Sequence, residues 1–294
     1  MEGVILKAIS GFYYVNCNDK IYECKARGNF RKMEVSPVVG DRVRFSATDE
    51  QHGVVESIFE RKNILSRPII ANIDKLFIVS SYKTPSPDTL LIDRLTAVCV
   101  YNNIEPIIIF NKCDMGDFSE IASIYRNSGF KTYVVSAQKQ IGIDNLKEEF
   151  KEGISAFAGN SGVGKSSIIN AVFGDYFLKT GEVSEKLGRG RHTTRHTEIY
   201  RHSLGGYIAD TPGFSSFDAP ITDYNFKLKL SDCFPEFNEY SDKCRFSTCS
   251  HTCEKGCAVI AAVNEGLIEP TRHDSYKMLY DNVKDLKEWS SNKK

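Results

Sequence analysis

The stretch that decides the fold is Gly159-Asn160-Ser161-Gly162-Val163-Gly164-Lys165-Ser166. It matches the pattern G-x-x-x-x-G-K-[ST], and it stands between an apolar strand-like run and a segment suited to a helix. Glycines let backbone N–H groups turn towards phosphate oxygens, and the N-terminus of the helix adds a favourable dipole. We predict a phosphate site in which Lys165 reaches the β- and γ-phosphates, Ser166 ligates Mg²⁺ and Ser167 joins the nucleotide contacts. The plainer alternative is a glycine-rich turn in a metabolic enzyme.

The sequence around this loop alternates between apolar β-rich runs and helix-length segments from about residue 67 to 222. Such alternation is typical of a parallel sheet covered by helices on both faces. Residues 1–66 instead contain five short strand patterns, with turn signals at Gly40–Asp41 and His52–Gly53, as in a small closed barrel of the OB type. Residues 223–294 combine helices with a Cys/His cluster. The predicted fold is therefore multidomain α/β, with domains 1–66, 67–222 and 223–294.

A second motif, Asn111-Lys112-Cys113-Asp114, follows the apolar run PIIIF. The Asp114 carboxylate can accept two hydrogen bonds from guanine N1–H and N2–H₂, whereas adenine offers no such pair of donors. We expect Asn111 to bridge neighbouring loops and the stem of Lys112 to cover the base. Ser136-Ala137 follows the next strand, where a backbone N–H can reach guanine O6. The pair of motifs predicts a site for GTP rather than ATP.

Two downstream segments complete the pattern of a nucleotide switch. Asp210-Thr211-Pro212-Gly213 fits D-x-x-G, so Asp210 is expected to hold Mg²⁺ through water and the Gly213 N–H to sense the γ-phosphate. Arg191-His192-Thr193-Thr194 occupies the place of the first switch. Either Thr193 or Thr194 is expected to complete the Mg²⁺ shell.

The group that activates water is not the usual one. Many GTPases carry glutamine directly after D-x-x-G, but here that position is Phe214. One reading makes His192 the catalytic residue, and the other leaves hydrolysis slow until a macromolecular partner completes the site.

The order of the motifs is unusual. The chain runs NKCD, SA, GNSGVGKS, RHTT and DTPG, whereas an ordinary GTPase begins with the phosphate loop. The same site can form if the chain termini are relocated, which makes this domain a circular permutation. The second switch then leads directly into the C-terminal unit, so we hypothesise that the γ-phosphate can move that unit.

A group of metal-ligand residues lies within fourteen positions near the C-terminus: Cys244, Cys249, His251 and Cys257. Cys₃His is a common closed, tetrahedral zinc set, so we predict one structural Zn²⁺. Cys253 either replaces a neighbour as a ligand or is a spare thiol. The alternative for the whole group is a set of free, buried cysteines.

Composition bounds the remaining functions. The 294-residue chain has equal numbers of acidic and basic residues, so its net charge does not indicate a nucleic-acid partner. A basic run in the barrel is interpreted either as a nucleic-acid contact, because cations track phosphates and an aromatic ring can stack on a base, or as a solvated basic loop. The proposed RNA contacts are Lys25, Arg27, Phe30, Arg31 and Lys32. The N-terminus resembles no signal peptide and no apolar stretch is long enough to span a bilayer, so a cytoplasmic, monomeric protein without membrane association is expected.

Taken together, these motifs resemble the family of circularly permuted GTPases known as ribosome small subunit-dependent GTPase A. Segments such as ARGNFRK, VVGDRV and GCAVIAAVNEG also resemble that family. The resemblance implies binding of GTP and GDP, contact with the 30S subunit and 16S rRNA, a role late in 30S maturation and hydrolysis stimulated by the ribosome. It also implies that His192 is catalytic. The competing hypotheses are a GTP-dependent switch acting on a protein partner and, less compatible with Asp114, a P-loop kinase or ATPase.

Overall fold

A computed structural model describes residues 1–31, 35–66, 68–83, 85–174, 197–210 and 224–287. The chain forms two compact units: residues 1–76, 140–158 and 165–217 make the first, and residues 77–139, 159–164 and 218–294 make the second. The strands are β1 Glu2–Ile9, β2 Phe12–Cys17, β3 Lys20–Ala26, β4 Arg42–Ala47, β5 His52–Ile58, β6 Ile64–Ser66, β7 Ile69–Ala71, β8 Ile73–Ser81, β9 Glu105–Asn111, β10 Lys131–Val134, β11 Ile154–Ala158, β12 Glu198–Arg201 and β13 Tyr207–Asp210. The helices are α1 Thr89–Tyr101, α2 Ser119–Asn127, α3 Ile143–Lys147, α4 Lys165–Phe173, α5 Tyr224–Lys229, α6 Asn238–Ser241, α7 Ala258–Asn264 and α8 Pro270–Val283.

The first five strands close into a barrel. β1 pairs with β2, β2 with β3, β3 with β5, β5 with β4, and β4 again with β1. Closure leaves no unpaired edge within this circuit. Side chains of these strands, together with Phe30 from the 3₁₀ turn after β3, fill its interior: Ile5, Val15, Cys17, Tyr22, Cys24, Phe30, Val43, Phe45 and Val55.

One predicted turn in the barrel lies elsewhere. His52–Gly53 was expected to turn the chain, but both residues belong to β5. The Asp49 carboxylate instead accepts hydrogen bonds from the backbone N–H groups of Gln51 and His52, each at 2.8 Å. A short acidic side chain that satisfies the backbone two and three residues ahead forms the turn, so β5 begins directly after it.

The barrel continues into the α/β part of the first unit. β11 runs parallel to β13, β12 lies antiparallel to β13, and β12 pairs with barrel strand β1 through Lys7 and Glu198. The Lys7 ammonium lies 3.1 Å from the Glu198 carboxylate. The predicted parallel pairing is present between β11 and β13, and the short β12 adds an antiparallel strand that its four residues did not reveal.

In the second unit, β9 lies between β8 and β10, and β10 is parallel to β9. Helix α1 begins after Asp88, whose carboxylate accepts a 3.0 Å hydrogen bond from the Leu91 N–H and so caps the first turn. Two of the helix-length segments between the apolar runs, at 88–100 and 118–128, form α1 and α2. The segment 142–152 forms the shorter α3, followed by a 3₁₀ turn.

The C-terminal helices of the second unit are joined to α1 by a buried cation. Arg272 in α8 is fully buried and donates to Asp93 in α1 and to Glu236, each at 2.7 Å. Its guanidinium also lies 4.6 Å from the centre of the Phe234 ring. The three predicted domain boundaries stay predictions. In the part of the chain that the structure describes, no helix has the length and apolarity needed to cross a membrane.

Candidate nucleotide and metal sites

Asn111 is the junction of the candidate nucleotide site in the second unit. It is the last residue of β9 and its side chain is buried. Its Nδ2 donates to the Val163 carbonyl at 3.0 Å, and its Oδ1 accepts from the Ala137 N–H at 3.1 Å. One amide therefore joins three segments. They are the predicted base-reading motif (residues 111–114), the Ser136-Ala137 loop and the phosphate loop. This is the bridging position that the sequence predicted.

Lys112 makes a second bond between the base-reading motif and the phosphate loop. Its backbone is left-handed, with a φ of 68°, an unusual conformation for a lysine. The Nζ atom donates to the Gly162 carbonyl at 2.7 Å. The side chain of Lys112 thus runs from its own motif to the phosphate loop, and its role over the base stays a prediction.

Asp114 is exposed and is oriented by a buried hydroxyl. The Ser136 Oγ donates to its Oδ1 at 2.5 Å, and the same Oγ accepts from the Lys139 N–H at 3.1 Å. The carboxylate is held in place but remains open to solvent. The Ala137 N–H, expected near guanine O6, is already engaged by Asn111.

The phosphate loop requires glycine at its first position. Strand β11 is buried throughout, and Gly159 follows it with a φ of 130°. A Cβ atom there would lie 2.1 Å from the Val79 carbonyl oxygen, so any side chain would push the loop off β8. The remaining glycines of the motif, Gly162 and Gly164, also have positive φ, whereas the intervening Asn160, Ser161 and Val163 do not.

The residues after the loop begin helix α4 in the first unit. Lys165 is its first residue, and burial lowers the pKa of its ammonium group. A partly desolvated cation of this kind is stabilised by an anionic partner, which a phosphate would supply. Ser166 and Ser167 are exposed in the first turn of the helix.

Other predicted residues lie outside the described part of the chain. These are His192, Thr193, Thr194, Gly213 and Lys32, together with the side chains of Asp210 and Arg31. Of the proposed RNA contacts, Lys25 and Arg27 are exposed. The prediction that Phe30 contacts RNA is wrong. Its side chain is only 8% exposed and packs in the barrel core, so its ring cannot stack on a base.

The four predicted metal ligands converge. The ligand atoms of Cys244, Cys249, His251 and Cys257 all lie within 4.8 Å of one another. The sulfurs of Cys244 and Cys257 are 3.8 Å apart, and they lie 3.6 and 3.5 Å from His251 Nδ1. Tetrahedral Zn–S bonds of about 2.3 Å and Zn–N bonds of about 2.0 Å place ligands roughly this far apart. The donor set therefore fits a tetrahedral metal ion.

Backbone and side-chain bonds organise this loop around the ligands. The N–H groups of Ala258 and Ile260 donate to the sulfurs of Cys244 and Cys257, at 3.3 and 3.5 Å. Glu254 accepts from the N–H groups of Ser250, Thr252 and Cys253. Cys253 itself is exposed and is not part of the ligand group among the described residues.

Sequence reasoning missed two residues that support the metal site. Glu254 is one, and its position between the last two cysteines was the available signal. The other is His273, whose Nε2 lies 2.7 Å from the His251 carbonyl oxygen. No local pattern indicated this contact, because the two histidines are 22 residues apart.

Two sequence-family models match the chain: the RsgA N-terminal domain over residues 2–55 and the RsgA GTPase over residues 58–220. A relative from Ruminiclostridium cellulolyticum, named small ribosomal subunit biogenesis GTPase RsgA, is 43% identical over 99% of this chain and 96% of its own length. A relative of the same name from Bacillus cytotoxicus is also 43% identical, over 97% of this chain and 98% of its own.

Two solved structures are similar to this protein over nearly the whole chain. YjeQ from Thermotoga maritima superposes with a TM-score of 0.81 at 30% identity, covering 97% of this chain and 99% of its own. YloQ, described as a circularly permuted GTPase, superposes with a TM-score of 0.80 at 35% identity, covering 97% of this chain and 96% of its own. The predicted barrel, permuted GTPase domain and C-terminal Cys₃His unit are thus confirmed. The chain belongs to the RsgA family of circularly permuted GTPases.

Proposed function

We propose that this GTPase acts late in the maturation of the small ribosomal subunit, in the cytoplasm, and that the subunit stimulates its GTP hydrolysis. The observation that carries the proposal is the full-length similarity to relatives named for small-subunit biogenesis. The similarity spans the barrel, the nucleotide domain and the metal-binding end alike.

Asp114 is the proposed reader of guanine. Asn111 and Lys112 hold the loops in register around it, as their bonds to Val163 and Gly162 indicate. Lys165 is proposed to neutralise the β- and γ-phosphates. The full set of proposed GTP contacts is Asn111, Lys112, Asp114, Ser136, Ala137, Gly159, Asn160, Ser161, Gly162, Val163, Gly164, Lys165, Ser166, Ser167, Asp210 and Gly213.

Hydrolysis requires a water molecule to attack the γ-phosphorus while the bond to the β–γ bridging oxygen breaks, which gives GDP and phosphate. We propose that His192 orients this water. Ser166, Asp210 and either Thr193 or Thr194 would hold Mg²⁺, which when bound neutralises charge that develops on the phosphate oxygens.

The C-terminal cluster is proposed to hold one structural Zn²⁺ through Cys244, Cys249, His251 and Cys257. Three thiolates and one imidazole suit zinc, and four protein ligands leave no open position for catalysis. When bound, the ion would add its binding energy to the folding of this region.

The barrel is proposed to contact 16S rRNA. Lys25 and Arg27 are exposed on it and can pair with phosphates, whereas Phe30 serves the barrel core. The protein is proposed to act as a monomer, without membrane association.

The test is GTP turnover with and without purified 30S subunits, together with cosedimentation in the presence of a non-hydrolysable GTP analogue. We expect stimulation and nucleotide-dependent cosedimentation. His192→Ala should abolish the stimulated turnover while GTP binding persists. If 30S subunits neither stimulate turnover nor bind the protein, the ribosomal role is wrong, and a switch acting on a protein partner becomes the better reading.

A further inference from the structure

Two phenylalanines flank the base-reading motif in the sequence and pack against each other. Phe110 directly precedes Asn111, and Phe118 directly precedes helix α2. Both side chains are buried, and their rings stack with centroids 5.1 Å apart and an interplanar angle of 29°. The stack joins the two ends of the segment that carries Asp114.

Tyr82, which follows β8, packs against the C-terminal end of the same segment, at Gly116 and Phe118. Its ring meets Phe118 edge-on, with centroids 5.6 Å apart and an angle of 81°. It also covers Gly116: a Cβ atom at that position would lie 1.9 Å from Tyr82 Cζ and 2.3 Å from both Cε atoms. Gly116 has an extended backbone, with a φ of 169°, that any residue can adopt. The glycine is therefore required by the Tyr82 ring and not by backbone conformation.

We propose that Tyr82 is a positioning residue for guanine recognition. By occupying the space over Gly116, its ring fixes the backbone two residues after Asp114 and thereby the direction of the carboxylate. Ser136 holds the carboxylate itself, and the Tyr82–Phe118–Phe110 group holds the turn on which it stands. The inference rests on the proposed role of Asp114 as the reader of guanine.

The Asp114 carboxylate must be positioned accurately to accept hydrogen bonds from guanine. A hydrogen bond weakens steeply when donor and acceptor leave their preferred geometry, so a binding group must be held within about 0.5 Å by its supporting shell. Asp114 is exposed, so few packing contacts of its own restrain it. Apart from the hydrogen bond from Ser136, its position depends on the neighbouring backbone, which the close fit of Tyr82 on Gly116 restrains.

A purely structural role for Tyr82 can be separated from a positioning role with inosine diphosphate. Hypoxanthine retains N1–H but lacks the 2-amino group of guanine, so the ratio of GDP to IDP affinity reports on how well Asp114 receives the second donor. Loss of fold stability lowers both affinities together. A misdirected carboxylate lowers the ratio.

The experiment measures GDP and IDP affinities by titration calorimetry for Gly116→Ala, Tyr82→Ala, Tyr82→Phe and the Gly116→Ala/Tyr82→Ala double variant. We expect Gly116→Ala to weaken GDP binding about tenfold and to lower the GDP/IDP ratio, since the charge-assisted hydrogen bonds to the Asp114 carboxylate are impaired. Tyr82→Ala should lower the ratio less, and Tyr82→Phe should leave it unchanged. The double variant should return to the level of Tyr82→Ala, because the methyl group then fills vacated space.

Controls separate the failure of this inference from failure of the site. Gly28→Ala is the matched glycine control, since an added methyl there meets nothing within 4 Å. If Asp114→Ala lowers the ratio but none of the Tyr82 and Gly116 variants does, the positioning role is wrong and the base site stands. If Asp114→Ala leaves GDP affinity unchanged, the base site itself is wrong. Should Gly116→Ala not fold, the Tyr82 pair decides the question.

Discussion

His202 is buried between the rings of Phe150 and Phe173, with a centroid distance of 4.6 Å to the latter. Its Nδ1 accepts from the Leu204 N–H at 3.3 Å. Burial, with a smaller contribution from the nearby Arg201, lowers its pKa to about 4. The imidazole is therefore neutral in the folded protein over a pH range in which it would be protonated in the unfolded chain.

The stability of the fold should consequently depend on the pH through His202. Below about pH 6.5 the unfolded chain binds a proton that the folded protein excludes, so stability falls as the pH falls towards 4. The full loss amounts to about 3 kcal/mol at most. His202→Gln, which stays neutral, should lose less stability over this range in urea titrations followed by circular dichroism.

His52→Gln is the matched control, because His52 is exposed at the start of β5. Its pH profile should follow that of the wild type more closely than the His202→Gln profile does. Equal pH slopes for the wild type and His202→Gln would contradict the prediction.

At the scale of elements, α8 is attached to α1 by one buried cation. Arg272 lies between Asp93 and Glu236, both of which are also buried in their side chains. Removal of one partner from such a group leaves charges in a medium that solvates them poorly. The ion pairs of Arg272 with Asp93 and Glu236 thus pack α8 rigidly against α1, and any movement of the C-terminal helices on α1 would have to break them.

Arg272→Ala should destabilise the protein by about 3–5 kcal/mol, since Asp93 and Glu236 would remain buried without their counter-ion. The midpoint of urea denaturation measures the loss. Lys277→Ala, on the same helix, removes an exposed ion pair with Asp274 and should cost less than about 1 kcal/mol. Similar midpoints for the two variants would show that the buried group adds no more than a surface pair.

The loop of residues 244–257, which carries the predicted metal ligands, can also be tested at the scale of elements. Cys249→Ser should lose the bound metal and lower the melting temperature, because a structural ion contributes its binding energy to folding. Cys253→Ser should retain one metal per chain, since Cys253 is exposed and lies outside the ligand group. Metal content by atomic emission checks both variants, and loss of metal from Cys253→Ser would assign that thiol to the site.

At the scale of the whole molecule, the candidate nucleotide site brings together segments that are distant in sequence. Asn111 contacts Ala137, 26 residues away, and Val163, 52 residues away. A ligand bound to such a junction stabilises the fold, because it binds the folded protein and not the unfolded chain. At a concentration of a hundred times its dissociation constant, GDP should add about 2.7 kcal/mol.

Asn111→Ala should remove most of this nucleotide-dependent stabilisation, because the Val163 carbonyl and the Ala137 N–H lose their shared partner. The measurement is the shift in melting temperature with GDP. Asn127→Ala, at the exposed end of α2, should keep the full shift. An undiminished shift in Asn111→Ala would mean that the junction does not support the nucleotide.

The sequence by itself determined the chemistry and most of the elements. Glycine, lysine and serine at the phosphate loop, NKCD after an apolar strand, and four metal ligands within fourteen residues are local patterns. Helix α1 was predictable for the same reason, since Asp88 caps it within its own first turn. Local patterns suffice wherever the deciding contacts lie within a few residues.

Only the tertiary structure decided which distant groups meet. The pairing of β12 with β1, the burial of Phe30, and the contact of Arg272 with Asp93, 179 residues away, leave no periodic signal in the chain. Each depends on a surface that exists only after other elements have packed. Tyr82 and Gly116 belong to this second group: neither is unusual in the sequence, and their close fit appears only where β8 and the base-reading turn come together.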